Sequence, residues 1–148
     1  MKVRDAEEAD LPWMIHQLGI FWNTLPFSAG VEYDAENAKS GLPKLTATGM
    51  LILAESDDGV LSGMLGAWKL NHPFAPQVTT YSEAFWWVAP ERRGCGAGAA
   101  LLAEYVLRAE REGVRWVSVS LEAASRVKES SLERFGFQLM ERTYLKGA

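Results

Sequence analysis

Trp87-Val88-Ala89-Pro90-Glu91-Arg92-Arg93-Gly94-Cys95-Gly96-Ala97-Gly98-Ala99-Ala100-Leu101-Leu102 is the stretch on which the reading of this chain turns. It runs from the end of an aromatic-rich apolar segment, through three alternating glycines, into residues with helical spacing. Glycines leave backbone N–H groups uncovered by side chains, and a helix starting there aims its positive dipole end at the same place. Together these make an anion site suited to a pyrophosphate. Arg92 and Arg93 add groups able to make charge-assisted contacts to phosphate.

Three other readings of the loop compete. A Walker loop is excluded, because no Gly-Lys-Ser or Gly-Lys-Thr follows the glycines. A dinucleotide-binding unit fits the order strand, glycines, helix, strand, and Glu122 stands near where a ribose-binding acid would. That fold needs several further strand–helix units, and only residues 123–148 remain. A tight turn without a ligand is the plainest alternative, and it leaves two arginines and three glycines before a helix without a purpose.

Outward from the loop, Thr79 to Val88 reads as a strand ended by Pro90, and Gly98 to Glu112 as a helix. Leu101, Leu102, Tyr105, Val106 and Ala109 share one face of that helix, and Gly113 stops it. Val114 to Leu121 alternates as a strand, Ser125 to Phe135 reads as a last amphipathic helix, and Gly136 to Lys146 as a returning strand. On the N-terminal side, Val3-Arg4 begins a strand, and Asp10-Leu11-Pro12 reads as an N-cap with proline in the first turn. Leu11, Ile15, Leu18 and Trp22 continue at helical spacing. A second short helix is expected around Ala35 to Lys39, with Gly41 and Pro43 as breakers. Met50 to Ala54 and Val60 to Leu70 form a hairpin across Ser56-Asp57-Asp58-Gly59, and Asn71 to Gln77 reads as a loop. The sum is an α/β fold, a mixed sheet with helices on both faces.

The 148 residues suit one domain, 1–148, and 48% hydrophobic with 23% charged residues is the composition of a soluble globular protein. No apolar run reaches the roughly 20 residues that span a bilayer, and the N-terminus lacks a secretion signal. A single cysteine excludes an internal disulfide and points to the cytoplasm. With only His16 and His72 beside it, no metal site is expected. The formal charge of −4 argues against nucleic acid as a partner. Six tryptophans suit either a bulky core or an aromatic acceptor pocket.

The quoted stretch resembles the coenzyme-A loop of the GCN5-related N-acetyltransferases (GNAT superfamily): an apolar strand, often a proline, then Gln/Arg-x-x-Gly-x-Gly/Ala and a helix with paired leucines. Glu91 stands where that family usually has Gln or Arg. The resemblance extends along the chain, through Arg4 with Asp10-Leu11-Pro12, Ala54-Glu55 to Gly63, and Arg134-Phe135-Gly136-Phe137. The run Phe85-Trp86-Trp87-Val88 and the ending Glu141-Arg142-Thr143-Tyr144 look most like uncharacterised phage-type members.

The resemblance implies a mostly antiparallel sheet that splays beside the strand before the loop. Acetyl-CoA would be the cosubstrate. Its pantetheine arm would pair with backbone groups at Trp86, Trp87 and Val88, and its pyrophosphate would lie on Arg92, Arg93, Gly94, Cys95, Gly96, Ala97 and Gly98. An amine, from a small molecule or a peptide, would attack the thioester directly, and a homodimer is compatible with the family. Direct attack needs a base for the ammonium and stabilisation of the leaving thiolate. Glu83, the only acid of Thr79–Val88, is the candidate base, read as sharing a face with Tyr81, Phe85 and Trp87; the plainer reading is a solvated or lysine-paired carboxylate. The family's usual acid, a tyrosine four residues before the closing Gly-Phe, is here Leu132, and the asparagine that often precedes it is Ser125. Tyr144 is the substitute candidate, although a tyrosine so placed is commonly packing. Cys95 is read as a tolerated small residue, His16 as a surface residue and His72 as a loop residue near the acceptor. The missing tyrosine keeps open a different class, a non-catalytic acyl-CoA-binding module acting through a protein partner.

Overall fold

A computed structural model describes residues 1–122 and 125–147. In chain order the elements are β1 (Lys2–Asp5), α1 (Leu11–Trp22), α2 (Ala35–Thr48), β2 (Gly49–Glu55), β3 (Leu61–His72), β4 (Ala75–Val88), α3 (Ala97–Arg111), β5 (Trp116–Ser118) and α4 (Glu129–Glu133), with short 3-10 turns before α1, after α1 and after β4. The five strands form one sheet in sequence order. Neighbours are antiparallel except β4 and β5, which are parallel.

The strand sequences distribute their side chains by simple alternation. Met50, Ile52 and Ala54 of β2 join Leu65 and Ala67 of β3 and the α3 residues Leu101, Leu102, Tyr105 and Ala109 in one core. Leu51 and Leu53, with Met64, face the other side and pack with Met14 of α1 and Leu42 and Leu45 of α2. Helices therefore cover both faces of the sheet.

Alternation shifts midway along β4. Ala67 lies opposite Glu83, but Gly66 lies opposite Phe85, so Ala84 is an extra residue, a β-bulge in β4. Before it, Tyr81 belongs to the core under α3; after it, Phe85 and Trp87 belong to the core under α1 and α2, while Trp86 and Val88 turn toward α3. The expected single face holding Glu83, Tyr81, Phe85 and Trp87 is therefore divided, and only Tyr81 stays with Glu83. A second irregularity leaves Ser62 unpaired between the Ala54–Gly63 and Glu55–Leu61 rungs.

Several boundaries differ from the sequence reading. α2 runs through Gly41 and Pro43 to Thr48, because Leu42 and Leu45 bury against the sheet and the Asp34 carboxylate accepts from the Asn37 N–H at 2.9 Å. The expected loop 71–77 is a tight hairpin, with His72 opposite Ala75. Pro76 is tolerated in β4 because β5 does not reach that part of its edge. Asp10 makes no side-chain cap; its carboxylate takes two bonds from Arg4, at 2.7 and 2.9 Å, and one from the Glu7 N–H at 2.8 Å. β5 is three residues long rather than eight, α4 is five residues long, and the returning strand over 136–146 does not form. A strand needs a neighbour to satisfy its backbone, and three residues of β5 offer little edge to build on.

Close backbone approach sets one sharp test. A Cβ at Gly49 would lie 2.0 Å from the Ala67 carbonyl oxygen, whereas at Gly41, inside α2, it would meet nothing within 4 Å. Gly49→Ala should therefore cost more than about 2 kcal/mol. Gly41→Ala should gain roughly 0.5–1 kcal/mol. Urea unfolding midpoints with unchanged slopes would check both.

Candidate active site

β4 and β5 share only the rungs Thr80–Trp116, Tyr81–Val117 and Ser82–Ser118. Beyond Ser82 they part, and among the described residues no strand lies beside the edge of β4 from Ala84 to Val88. The Ala89 N–H bonds to the Ser62 carbonyl of β3 at 3.0 Å. Counting back by twos, Trp87 and Phe85 also direct their main chains at β3, and the groups of Trp86 and Val88 point to the open edge. An open edge of this kind can take an extended ligand as an added strand.

Glu83 sits where the strands part. Its Oε2 accepts from the Ser120 N–H at 3.1 Å, just past the end of β5. Burial pushes its carboxyl up to about 7; the Ser120 bond opposes this and the Glu122 charge adds to it. The apolar setting comes from Tyr81 and from Tyr105 of α3, whose rings lie 6.0 Å apart, rather than from Phe85 and Trp87. Burial raises the Tyr105 hydroxyl above its usual range, with help from Glu83, so it stays a donor, and it bonds to the Ser118 carbonyl at 3.1 Å. Burial and Glu112 do the same to Tyr81, which donates to Glu112 Oε2 at 2.8 Å.

At the other end of the open edge the three glycines do different work. Gly94 and Gly96 have φ of 86° and 88°, in the left-handed region that favours glycine, and Gly96 begins α3. Gly98 has an ordinary φ and is small for packing: a Cβ there would touch Val88 and Trp86 at 3.4–3.5 Å. Among the described residues nothing accepts from the N–H groups of Gly94, Gly96, Ala97 or Gly98. These donors stand at the start of a fifteen-residue helix, where the sequence reading expects an anion.

The loop is tied down by its neighbours. The Trp86 indole N–H donates to the Gly98 carbonyl at 3.1 Å, locking α3 onto β4. Arg92 Nε donates to the buried Ser62 hydroxyl at 3.1 Å, which leaves its two terminal nitrogens available. The Arg93 guanidinium lies 4.9 Å over the Trp87 ring, on the α1 side of the sheet, and the Trp87 indole N–H donates to Gln17 Oε1 at 2.9 Å. The tryptophans thus settle into neither reading alone: Trp86 and Trp87 brace the loop, whereas Trp116 is half exposed, edge-on to His72.

Other expected residues lie apart from this arrangement. Tyr144 is 87% exposed on a segment without strand structure and makes no hydrogen bond among the described residues. Leu132 packs partly into the core under α3. Cys95 and His16 are exposed. His72 ends β3 instead of lying in a loop. Two surface hollows, about 380 Å³ beside Glu133 and Gly136 to Leu139 and about 570 Å³ between Asn23 and Glu32, border neither Glu83 nor the loop. The candidate site is a strand edge rather than a pocket. Sequence reasoning missed Gln17, Ser62, Tyr105 and Ser120. Gln17 had a signal, a polar residue three positions from Met14 and four from Phe21 on an apolar face; the roles of the other three depend on the bulges and the parting of the strands.

The family described as the acetyltransferase (GNAT) family matches residues 13–137. An acetyltransferase of Trypanosoma brucei is 18% identical, with 99% of each chain covered and a TM-score of 0.74. A transcriptional regulator from Bacillus halodurans C-125 is also 18% identical, with 99% of each chain covered and a TM-score of 0.78. An integron cassette protein from a Cole Harbour salt-marsh metagenome is 23% identical over 99% of this chain and 89% of that one, with a TM-score of 0.69. At these identities the likeness is one of fold. No curated protein matches the chain.

The carboxyl raised from 4.5 to about 7 has a consequence for stability. The folded state then holds a proton that the unfolded state has released, so stability falls as pH rises from about 4.5 to 7. Glu83→Gln should remove that fall and leave the variant more stable than the parent at pH 8, by on the order of 2 kcal/mol. Urea titrations at pH 5 and pH 8 measure the difference, and equal stabilities at both would contradict the buried carboxyl.

Proposed function

We propose, from the premise that the chain belongs to the acetyltransferase (GNAT) family, that it is an acetyl-CoA-dependent N-acetyltransferase acting on a primary amine. The observation that carries this reading is one continuous track among the described residues: Glu83 at the fork, the free main-chain groups of Trp86 and Val88 along the edge of β4, and the unpaired N–H groups of Gly94, Gly96, Ala97 and Gly98 at its end.

The residues present fit the coenzyme. Pyrophosphate needs several converging donors and positive charge, which the loop N–H groups, the start of α3 and the terminal nitrogens of Arg92 supply. Ala97 contributes its backbone N–H, whereas the Cys95 N–H is directed to the Arg92 carbonyl at 3.4 Å. Arg93 is engaged with Trp87, so its share in phosphate binding is secondary. The pantetheine arm carries amides that suit the free groups of Trp86 and Val88. Bound there, the coenzyme supplies an acetyl group activated as a thioester.

Glu83 takes the proton from the incoming ammonium. Among the described residues its Oε1 accepts no hydrogen bond while Oε2 is held by Ser120, and a carboxyl poised at about 7 is matched to the task. No side chain is assigned to the leaving sulfur: Leu132 cannot donate and Tyr144 lies in solvent. A thiol is acidic enough to leave as its anion. The apolar Leu132 also favours a second reading, a module that binds acyl-CoA without turning it over.

Thiol release from acetyl-CoA with spermidine, an aminoglycoside, an amino-acid amide and a short peptide separates the two readings. Turnover on one of these is expected, whereas tight acetyl-CoA binding with no turnover would favour the module. The rate should rise with pH through about 7 as Glu83 loses its proton. Glu83→Gln should lower kcat by roughly 100-fold or more with little change in acetyl-CoA binding. Gly96→Ala, strained by about 1–2 kcal/mol at positive φ, should weaken acetyl-CoA binding about tenfold.

A further inference from the structure

Tyr105 is the one polar residue on the buried face of α3, with Ala97, Leu101, Leu102 and Ala109, and it is fully buried. Its ring fills the core beside Tyr81, which a phenylalanine would do as well. Among the described residues its hydroxyl has one partner, the Ser118 carbonyl at 3.1 Å. Ser118 is the last residue of β5 and faces Ser82 in the final rung before the strands part. Two residues further, the Ser120 N–H reaches back to Glu83. No ladder holds Ser120, and a three-residue strand fixes its own end poorly. Apart from the final rung, Ser118 is held by the Tyr105 bond and by a long contact from its own hydroxyl to the Tyr81 carbonyl at 3.4 Å.

We propose that Tyr105 is a positioning residue: its hydroxyl, held on the Ser118 carbonyl, anchors the departing end of β5, so that the Ser120 N–H stays on Oε2 of Glu83 and Oε1 is presented to the acceptor ammonium. α3 thereby carries both ends of the site, the anion-binding loop at its start and, two turns later, the group that orients the carboxylate. This rests on the reading of Glu83 as the base for its catalytic meaning, but the geometric coupling can be tested without it.

The groups facing Glu83 are the Tyr105 hydroxyl from α3, Tyr81 from β4 and Glu122 after β5; Lys69 of β3 is held away on Glu112 and over the Tyr81 ring. None of these changes charge in Tyr105→Phe, which keeps the ring and its packing. The Ser120 bond lowers the Glu83 pKa, so its loss must raise it.

Glutamate-carboxyl carbon NMR of the ligand-free protein reads this directly, with Glu83 assigned by its absence in Glu83→Gln. The parent carboxyl should titrate near 7. In Tyr105→Phe it should move up by about one pH unit, and the acidic limb of kcat should move with it while the KM for acetyl-CoA changes less than twofold. Ser120→Pro deletes the donor itself and should give the same upward move. The double variant should move no further than either alone. A folded Tyr105→Phe protein whose Glu83 titrates as in the parent would overturn the proposal, as would additive shifts in the double variant. Should Glu83→Gln retain full turnover, the base assignment falls while the titration result still decides the coupling.

Discussion

The parting of β4 from β5 after three rungs is the constraint on which the rest of the molecule depends. A parallel pair that continued would seal the edge of β4 and cover the main-chain groups of Trp86 and Val88. Because the ladder stops at Ser82–Ser118, the main-chain groups of Trp86 and Val88 have no partner on that side among the described residues. Buried backbone groups left unpaired are costly, so such an edge persists only where the rest of the structure holds it open. Here the holding is done from α3, through the Trp86 indole on Gly98 at one end and the Tyr105 hydroxyl on Ser118 at the other.

The bulge at Ala84 is the second half of the same device. It changes which face of the sheet each side chain meets, and it does so between Glu83 and the open edge at Trp86 and Val88. Glu83 remains under α3 in a setting of two tyrosines. Phe85 and Trp87 pass to the other side, where Trp87 makes a tilted contact with Phe21, a hydrogen bond to Gln17 and a platform for Arg93. One extra residue thus separates the face that carries Glu83 from an aromatic bracing face within a single strand.

Charge is arranged with similar economy. Arg4 holds Asp10 and Glu55 together, and Arg108 pairs with Glu104 and Asp5, so the start of the chain is fastened to the sheet and to α3 by ion pairs away from the site. The Arg4 guanidinium keeps the Asp10 carboxyl below its usual range. Glu83 meets no such cation among the described residues, and burial dominates its titration. The contrast between these two carboxylates follows from their partners: one is neutralised by a bidentate arginine, the other meets a single N–H.

The glycine loop, the helix after it and the family resemblance were legible in the chain alone, because they rest on local requirements. Gly94 and Gly96 answer to backbone dihedrals, and the α3 face answers to a 3.6-residue period. Glu83 could also be picked out, as the lone acid of an apolar strand. What surrounds it could not, because a bulge shifts the alternation without leaving a mark in residue type. Nor could the roles of Ser62, Ser120 and Tyr105 be seen, since each depends on a partner 12 or more positions away. The last helix and strand were overread for the same reason: alternation shows that a segment can be a strand, and only a neighbouring edge decides whether it is one. Local chemistry thus determined the left-handed turns at Gly94 and Gly96 and the helix that follows them, and tertiary structure alone decided where β4 parts from β5 and what Glu83 meets there.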